Sequence, residues 1–167
     1  MKKPFCRELY QKNDKIAREL AKKAFQANYG YTLEDNPDIY GPDLIAFENG
    51  KFLGYVEVEI KQYWKEYAIH KFPAKSLHIP YRKSKFLNYK HKDIPDNIVF
   101  CVFSGDLKAG LWIDGEDLAE CSFIEKDTVF TCREAFFDVP LSKMQYFEVE
   151  PLVYKRDNNE SVKSQSS

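Results

Sequence analysis

The 167-residue sequence has no apolar run that approaches the roughly 20 residues needed by a membrane-spanning helix. Its first residues, MKKPFCRELYQKND, contain two lysines but no apolar stretch after them of the kind that a secretion signal carries. We therefore expect a soluble, cytoplasmic protein with no membrane partner.

Cysteine and histidine are too scattered to form a zinc site. The four cysteines form no C-x-x-C pair, and the three histidines show no ligand spacing such as H-x-x-x-H. Cys101 lies in the apolar run IVFCVF and is expected to be a buried apolar residue. Cys121 and Cys132 could face each other across a hairpin, although a reduced state is expected in the cytoplasm.

The net charge of −1 says nothing about partners, but its distribution is uneven. Residues 61–92 hold nine Lys or Arg and one acid, whereas residues 93–150 hold four Lys or Arg and thirteen acids. The basic segment also contains seven aromatic residues, among them Tyr63 and Trp64. Basic side chains interleaved with aromatic rings are typical of a nucleic-acid surface, although a solvated face above core aromatics has the same composition. Tyr63 and Trp64 could accordingly serve either packing or base stacking.

Periodicity in the first half predicts a helix followed by a hairpin. Residues 5–27 place apolar side chains on one arc at helical spacing, and Asn28 to Gly30 form a plausible stop. Two prolines and a glycine in residues 31–42 predict an irregular segment. The hairpin consists of DLIAF, the turn ENGK and the alternating run FLGYVEVEIK.

The second half predicts further strands. Residues 62–82 are expected to be loop with some helix, and residues 82–91 a short helix. The apolar run 97–103 fits a central strand that is covered on both faces. The remaining expected elements are a strand at 111–114, a helical turn through Leu118, and the strands TVFTC and AFFDV within 122–138. The chain thus reads as one α/β domain, residues 1–154, in which helices flank a mixed sheet, followed by a polar, disordered tail, residues 155–167.

The alternating segment VEVEIK places three charged residues on one face of a strand. Val56, Val58 and Ile60 would point into a core, and Glu57, Glu59 and Lys61 would point the other way. Two carboxylates about 6–7 Å apart repel each other by roughly 2 kcal/mol at an effective dielectric constant of 20. A divalent cation would convert that repulsion into attraction, although a solvated strand face is the ordinary alternative.

The segment GPDLIAF…VEVEIK resembles the signature of the PD-(D/E)xK nuclease superfamily. The matching residues are Pro42-Asp43 and Glu59-Ile60-Lys61, and the likeness is greatest to small Holliday-junction resolvases and related phage nucleases. The resemblance implies a restriction-endonuclease-like fold with the core order α-β-β-(α)-β. It also implies DNA as substrate, Mg²⁺ or Mn²⁺ as cofactor and, if the gene is phage-encoded, the host cytoplasm as location.

The resemblance assigns roles to the residues of the motif. Asp43 and Glu59 would hold the metal together with the backbone carbonyl of Ile60, and Lys61 would orient the attacking water and contact the scissile phosphate. Glu57 could be a second-metal ligand or simply solvated. Some superfamily members add an acid from the first helix, for which Glu19 and Glu8 are candidates, although a surface role is the ordinary reading of either.

The basic segment supplies candidates for DNA contacts. Arg82, Lys83 and Lys85 would grip backbone phosphates or support the site, and Lys75 and Lys71 are weaker candidates. A solvated basic face is the alternative. A homodimer or a larger nucleic-acid-processing assembly would provide the target choice that so small a chain lacks.

One geometric condition can be stated from the sequence. If Asn49 and Gly50 alone form the turn, Asp43 pairs with Val56 and points away from Glu59. A three-residue turn, or a bulge near Gly54, places Asp43 on the carboxylate face, and we predict one of these. Two other functions remain open: a catalytically inactive nuclease-fold protein that binds nucleic acid or a protein partner, and an interaction module that uses the acidic half.

Overall fold

The structure is a computed structural model that describes residues 7–65, 74–87, 89 and 97–149. Helix α1 spans Arg7–Tyr29 and buries a face of small residues, including Ala17, Ala21 and Ala24. The helix ends where Gly30 adopts a φ of +72° and donates its N–H to the Gln26 carbonyl at 3.0 Å. The predicted stop is therefore confirmed, because glycine adopts the left-handed conformation without a steric penalty.

The described residues form nine strands in two sheets. They are β1 Thr32–Asp35, β2 Leu44–Glu48, β3 Lys51–Lys61, β4 Ser76–Pro80, β5 Ile98–Ser104, β6 Ala109–Asp114, β7 Ser122–Lys126, β8 Glu134–Pro140 and β9 Gln145–Glu148. The larger sheet has the order β1-β2-β3-β5-β6-β9, in which β3 and β5 are parallel and the other pairs antiparallel. The smaller sheet has the order β4-β8-β7 and is antiparallel. The expected mixed sheet is confirmed.

The two faces of the larger sheet are covered by different layers. On one face, α1 packs against Val56, Val58 and Cys101. On the other face, Phe100 and Val102 share a core with the smaller sheet, including Leu77 and Ile79 of β4 and Phe137 and Val139 of β8. The expected helices therefore flank the sheet, with α1 on one face and α2 (Gly115–Ala119) on the other through the buried Leu118, but the second layer also contains the smaller sheet.

A β-bulge sets the phase of the β2–β3 hairpin. Asn49 and Gly50 form a two-residue turn, both with positive φ, and Glu48 pairs with Lys51. Phe47 then pairs with Phe52 but Ala46 pairs with Gly54, so Leu53 is the additional residue. The predicted bulge near Gly54 is confirmed, whereas the three-residue turn is absent. The register beyond the bulge pairs Leu44 with Val56.

The other element predictions are correct for some segments and wrong for others. The central strand, the strand around LWID, the helical turn (α2, Gly115–Ala119) and the strand around AFFDV are confirmed as β5, β6, α2 and β8. Residues 31–42 contain β1 and residues 62–82 contain β4, both predicted as irregular, while the segment TVFTC forms no strand. In place of a short helix at 82–91, Tyr81–Phe86 forms a 3₁₀ helix, η1, and the unpredicted β9 completes the larger sheet.

Two further predictions concern cysteines and membranes. Cys101 is buried, as predicted, and Cys121 and Cys132 are free thiols. Over the described ranges, no helix combines the length and apolar character required to cross a membrane. The predicted tail, residues 155–167, lies outside the described residues.

Candidate metal and phosphate site

The charged face of β3 is covered by the fold. Glu57 and Lys61 are only 9% and 7% exposed, and Glu59 exposes 31% of its side chain. Val56 and Val58 lie in the core beneath α1, so the predicted alternation of the two faces is confirmed. The alternative of a solvated charged strand is wrong, because Glu57 and Lys61 are buried. A carboxylate removed from water requires ionic or hydrogen-bonding partners.

Asp43 lies beside this face because it immediately precedes β2, which begins at Leu44. Continuing the register from Leu44 and Val56 places Asp43 opposite Glu57. The Asp43 N–H donates to Glu57 Oε2 at 3.2 Å, and Asp43 Oδ2 accepts the Val58 N–H at 2.9 Å. The acid that follows Pro42 therefore extends the β2–β3 pairing by one residue before β2, and its side chain lies beside the carboxylates of β3.

The backbone of Ile60 faces the same opening. The Tyr55 N–H points toward β5, where it donates to the Asn97 carbonyl, and the Val58 N–H points the opposite way, toward Asp43. Because the direction of the backbone groups alternates along a strand, the Ile60 carbonyl points to the side of Asp43, beyond the end of β2. Ile60 also lines the cavity described below.

Two lysines contact the carboxylates from different elements. Lys61 Nζ lies 2.9 Å from Glu59 Oε1. Lys83 of η1 places its Nζ 3.2 Å from Glu57 Oε1 and 3.7 Å from Glu59 Oε2. Lys83, which we predicted either to grip phosphates or to support the site, is directed into the carboxylate cluster, where its side chain is only 15% exposed.

The electrostatics of the cluster separate its acids. Burial and the negative charge of Glu57 raise the pKa of Asp43 to about 7. Burial alone would also raise the pKa of Glu59, but the ammonium groups of Lys61 and Lys83 outweigh it and hold that pKa below its usual value. Burial would lower the pKa of Lys83, yet Glu59 and Glu57 hold it above its ordinary range. Asp43 is thus the acid whose negative charge is least well compensated.

The acid that α1 contributes is one that sequence reasoning missed. Asp14 lines the cavity, and burial together with the charge of Asp43 raises its pKa. Glu19 is exposed and paired with Lys22 at 3.0 Å, and Glu8 is exposed, so neither candidate from the sequence lines the cavity. The available signal was helical spacing, because Asp14 lies three residues before Ala17 and therefore close to the apolar arc of the helix. Ala17 is buried in the structure.

A cavity of about 160 Å³ opens between α1, β3 and η1. Its lining consists of Asn13, Asp14, Ala17, Asp43, Glu57, Val58, Glu59, Ile60, Arg82 and Lys83. Carboxylate and carbonyl oxygens dominate the donor set, which matches a hard divalent cation such as Mg²⁺. The raised pKa of Asp43 indicates the same fit, because a cation would relieve its repulsion from Glu57.

The side chains alone do not complete a coordination sphere. Across the described ranges, no group of three or more His, Cys, Asp or Glu side chains is arranged to hold a metal ion. Mg²⁺ commonly takes only one or two carboxylates and fills its remaining positions with water and substrate phosphate. Asp43, Glu59 and the Ile60 carbonyl are therefore a sufficient protein contribution.

The other predicted DNA contacts lie at different distances from the cavity. Arg82 lines it, although its guanidinium is also 2.6 Å from Glu134. Lys85 and Lys75 are exposed and do not line it, and Lys71 lies outside the described residues. Trp64 is completely buried and therefore serves packing, whereas Tyr63 is 47% exposed.

Comparisons with models of known protein families, with curated proteins and with solved structures found no match.

Proposed function

We propose that this protein is a divalent-metal-dependent nuclease of the PD-(D/E)xK type that hydrolyses DNA phosphodiester bonds, acting as an endonuclease. The observation that carries the proposal is the convergence of Asp43 and Glu59 on one cavity, with the Lys61 ammonium 2.9 Å from Glu59 Oε1. These residues are brought together by a bulge that adds one residue to β3. A bulge that re-aims side chains next to a charged cavity is typical of a functional site.

The order of elements supports a restriction-endonuclease-like fold. Helix α1, the β2–β3 hairpin and the parallel strand β5 follow the order α-β-β-β, and the motif lies on the hairpin between α1 and β5. Between β3 and β5 the described residues contribute β4 and η1, at the place where the bracketed helix of the expected order would stand.

The residues of the cavity can divide the chemistry among them. Asp43, Glu59 and the Ile60 carbonyl would hold Mg²⁺ or Mn²⁺, which when bound supplies an activated water and neutralises phosphate charge. Glu57 or Asp14 could extend the ligand set. Lys61 is held beside Glu59, so its ammonium group is positioned to orient the water and to contact the scissile phosphate.

The proposal is tested by cleavage of plasmid and four-way-junction DNA with Mg²⁺, with Mn²⁺ and with a chelator. We expect Glu59→Gln and Lys61→Met each to lower the cleavage rate about 100-fold or more, because each removes a group that acts on the transition state. The matched controls are Glu125→Gln and Lys51→Met, which remove the same charges at exposed positions of β7 and the hairpin turn.

Two outcomes would contradict the proposal. Equal cleavage by wild type and by the site variants would remove the assigned residues from the reaction. DNA binding without cleavage under any metal condition would favour the second candidate, a non-catalytic member of the same fold. The incomplete set of side-chain ligands is the observation that keeps this candidate open.

A further inference from the structure

Lys83 reaches the carboxylate cluster from the opposite layer of the fold. It lies on η1, which directly follows β4 of the smaller sheet, whereas Glu57 and Glu59 lie on β3 of the larger sheet. Its ammonium group contacts oxygens of both glutamates, at 3.2 and 3.7 Å. Its neighbours on η1 make other contacts: Arg82 lines the same cavity but pairs with Glu134, and Lys85 lies over the Phe86 ring at 5.0 Å.

The charge of the cluster explains why an ammonium group is held there. Asp43, Glu57 and Glu59 line one cavity, in which Glu57 is buried and Glu59 partly exposed. Like charges that share a partly buried cavity repel each other more strongly than they would in water. Lys61 contacts Glu59, and Lys83 contacts both glutamates. Lys83 therefore supplies a positive charge at the carboxylate oxygens that a metal would need.

The Lys83 side chain can also move away from the two glutamates. Its backbone is fixed in η1 next to the buried Phe86, but the ammonium group ends a flexible four-carbon stem. A divalent cation at Glu59 would repel the Lys83 ammonium, and Lys83 lines the cavity together with Arg82.

We propose that Lys83 is a positioning residue that occupies the carboxylate oxygens of Glu57 and Glu59 in the metal-free protein and competes with the metal for them. The metal part of this inference rests on the proposed function; the lysine contact does not. Metal affinity in the absence of DNA is then set low by Lys83, and the displaced ammonium becomes available to a phosphate oxygen. The cluster is thereby kept intact until metal and substrate arrive together.

The test is a Mn²⁺ titration without DNA, in which binding is measured by calorimetry and by the electron paramagnetic resonance signal of free Mn²⁺. We expect Lys83→Met to bind Mn²⁺ about tenfold more tightly than wild type, since the competing charge is gone. Lys85→Met is the matched control, because it removes the same charge two residues away and should leave the affinity within about twofold. Lys83→Arg keeps the charge and should not tighten binding.

Each outcome bears on a different claim. Equal or weaker Mn²⁺ binding by Lys83→Met, with circular dichroism unchanged, overturns the role of Lys83 and leaves the proposed function standing. If that variant does not fold, Lys83→Gln in the same titration decides. Adding Asp43→Asn should abolish the tight binding, which assigns the metal to this cavity. Absence of Mn²⁺ binding by wild type and every Lys83 variant overturns both proposals.

Discussion

Asp43 is the residue at which stability and the proposed function oppose each other. Its carboxylate is buried against Glu57, and its pKa is raised to about 7. At neutral pH and without metal, the folded protein must hold a negative charge that the uptake of a proton would neutralise. Such conflict is common where a site is built for a ligand that the free protein lacks.

We expect Asp43→Asn to stabilise the metal-free protein at pH 8. A pKa raised from 3.8 to about 7 corresponds to about 4 kcal/mol at high pH, and partial exposure reduces the expected gain to about 1–3 kcal/mol. The amide oxygen of asparagine can still accept the Val58 N–H. Urea unfolding in the presence of a chelator measures the effect, with the exposed-acid variant Glu125→Gln as control.

The pH dependence gives a second measurement of the same effect. Because folding raises the pKa of Asp43, its contribution to stability is fully present below pH 3.8 and is lost as the pH rises through about 7. The difference in unfolding free energy between Asp43→Asn and wild type should therefore grow between about pH 4 and 7 and then level off. A difference that is constant over this range would contradict the raised pKa.

At the scale of residues, the sequence predicts faces better than it predicts partners. The alternation of Val56 to Lys61 defines which side chains share a face, because strand geometry leaves no choice. Asp14 and Lys83 could not be assigned to the cluster in the same way. Their positions depend on how α1 and η1 pack against β3, and that packing is tertiary information that no local pattern contains.

The bulge in β3 is the element-scale feature on which the site depends. Leu53 has no partner on β2, and the register shift it introduces places Asp43 opposite Glu57 instead of Val56. Gly54 makes the bulge compatible with the neighbouring chain, since a Cβ there would lie 2.6 Å from the Asn97 carbonyl oxygen. That carbonyl accepts the Tyr55 N–H at 2.8 Å and so cannot move freely.

We predict that Gly54→Ala destabilises the protein by about 2–3 kcal/mol, because the added methyl group overpacks against fixed backbone. It should also weaken Mn²⁺ binding, since relief of the clash must shift the bulge that orients Asp43. The quantities to measure are the free energy of unfolding in urea and the Mn²⁺ affinity.

Gly50→Ala provides the comparison for this prediction. Gly50 has open space around it but a φ of +76°, so alanine there should cost about 1 kcal/mol through backbone strain alone. It lies at the far end of the hairpin and should leave Mn²⁺ affinity unchanged. Equal losses of metal affinity in the two variants would show that the bulge does not set the site.

At the element scale, the predictions succeeded where a segment is long or strongly patterned. Helix α1 and the hairpin carry clear periodicity and β5 is a continuous apolar run, and all three were correctly predicted. The misassigned strands β1, β4 and β9 have only four or five residues each, and β4 ends in Pro80. Such segments become strands because they pair with existing strands, a contribution that local propensity does not include.

At the scale of the whole molecule, the cavity lies where three parts of the fold meet: α1, the larger sheet and η1. Helix α1 contributes Asp14, the larger sheet contributes the motif, and η1 contributes Lys83 from the layer that contains the smaller sheet. The sequence predicted helices against the sheet but not the smaller sheet, because the alternation of Leu77 and Ile79 between prolines is too short to distinguish from loop. The basic segment nevertheless keeps its relation to the site, since η1 borders the cavity with Arg82 and Lys83.

This arrangement predicts how DNA binding depends on salt. If Lys75 and Lys85 contact phosphates, the double variant Lys75→Gln/Lys85→Gln should lower the slope of log affinity against log salt by about 2, because each lost contact removes about 0.9. The matched control is Lys23→Gln/Lys51→Gln, with both lysines exposed and far from Glu59 along α1 and β3.

Binding is measured by fluorescence anisotropy on a short duplex, with a chelator to prevent cleavage. Because the net charge changes equally in the two variants, only a local contact can separate their slopes. Identical slopes would instead assign DNA binding to a surface that does not include Lys75 and Lys85.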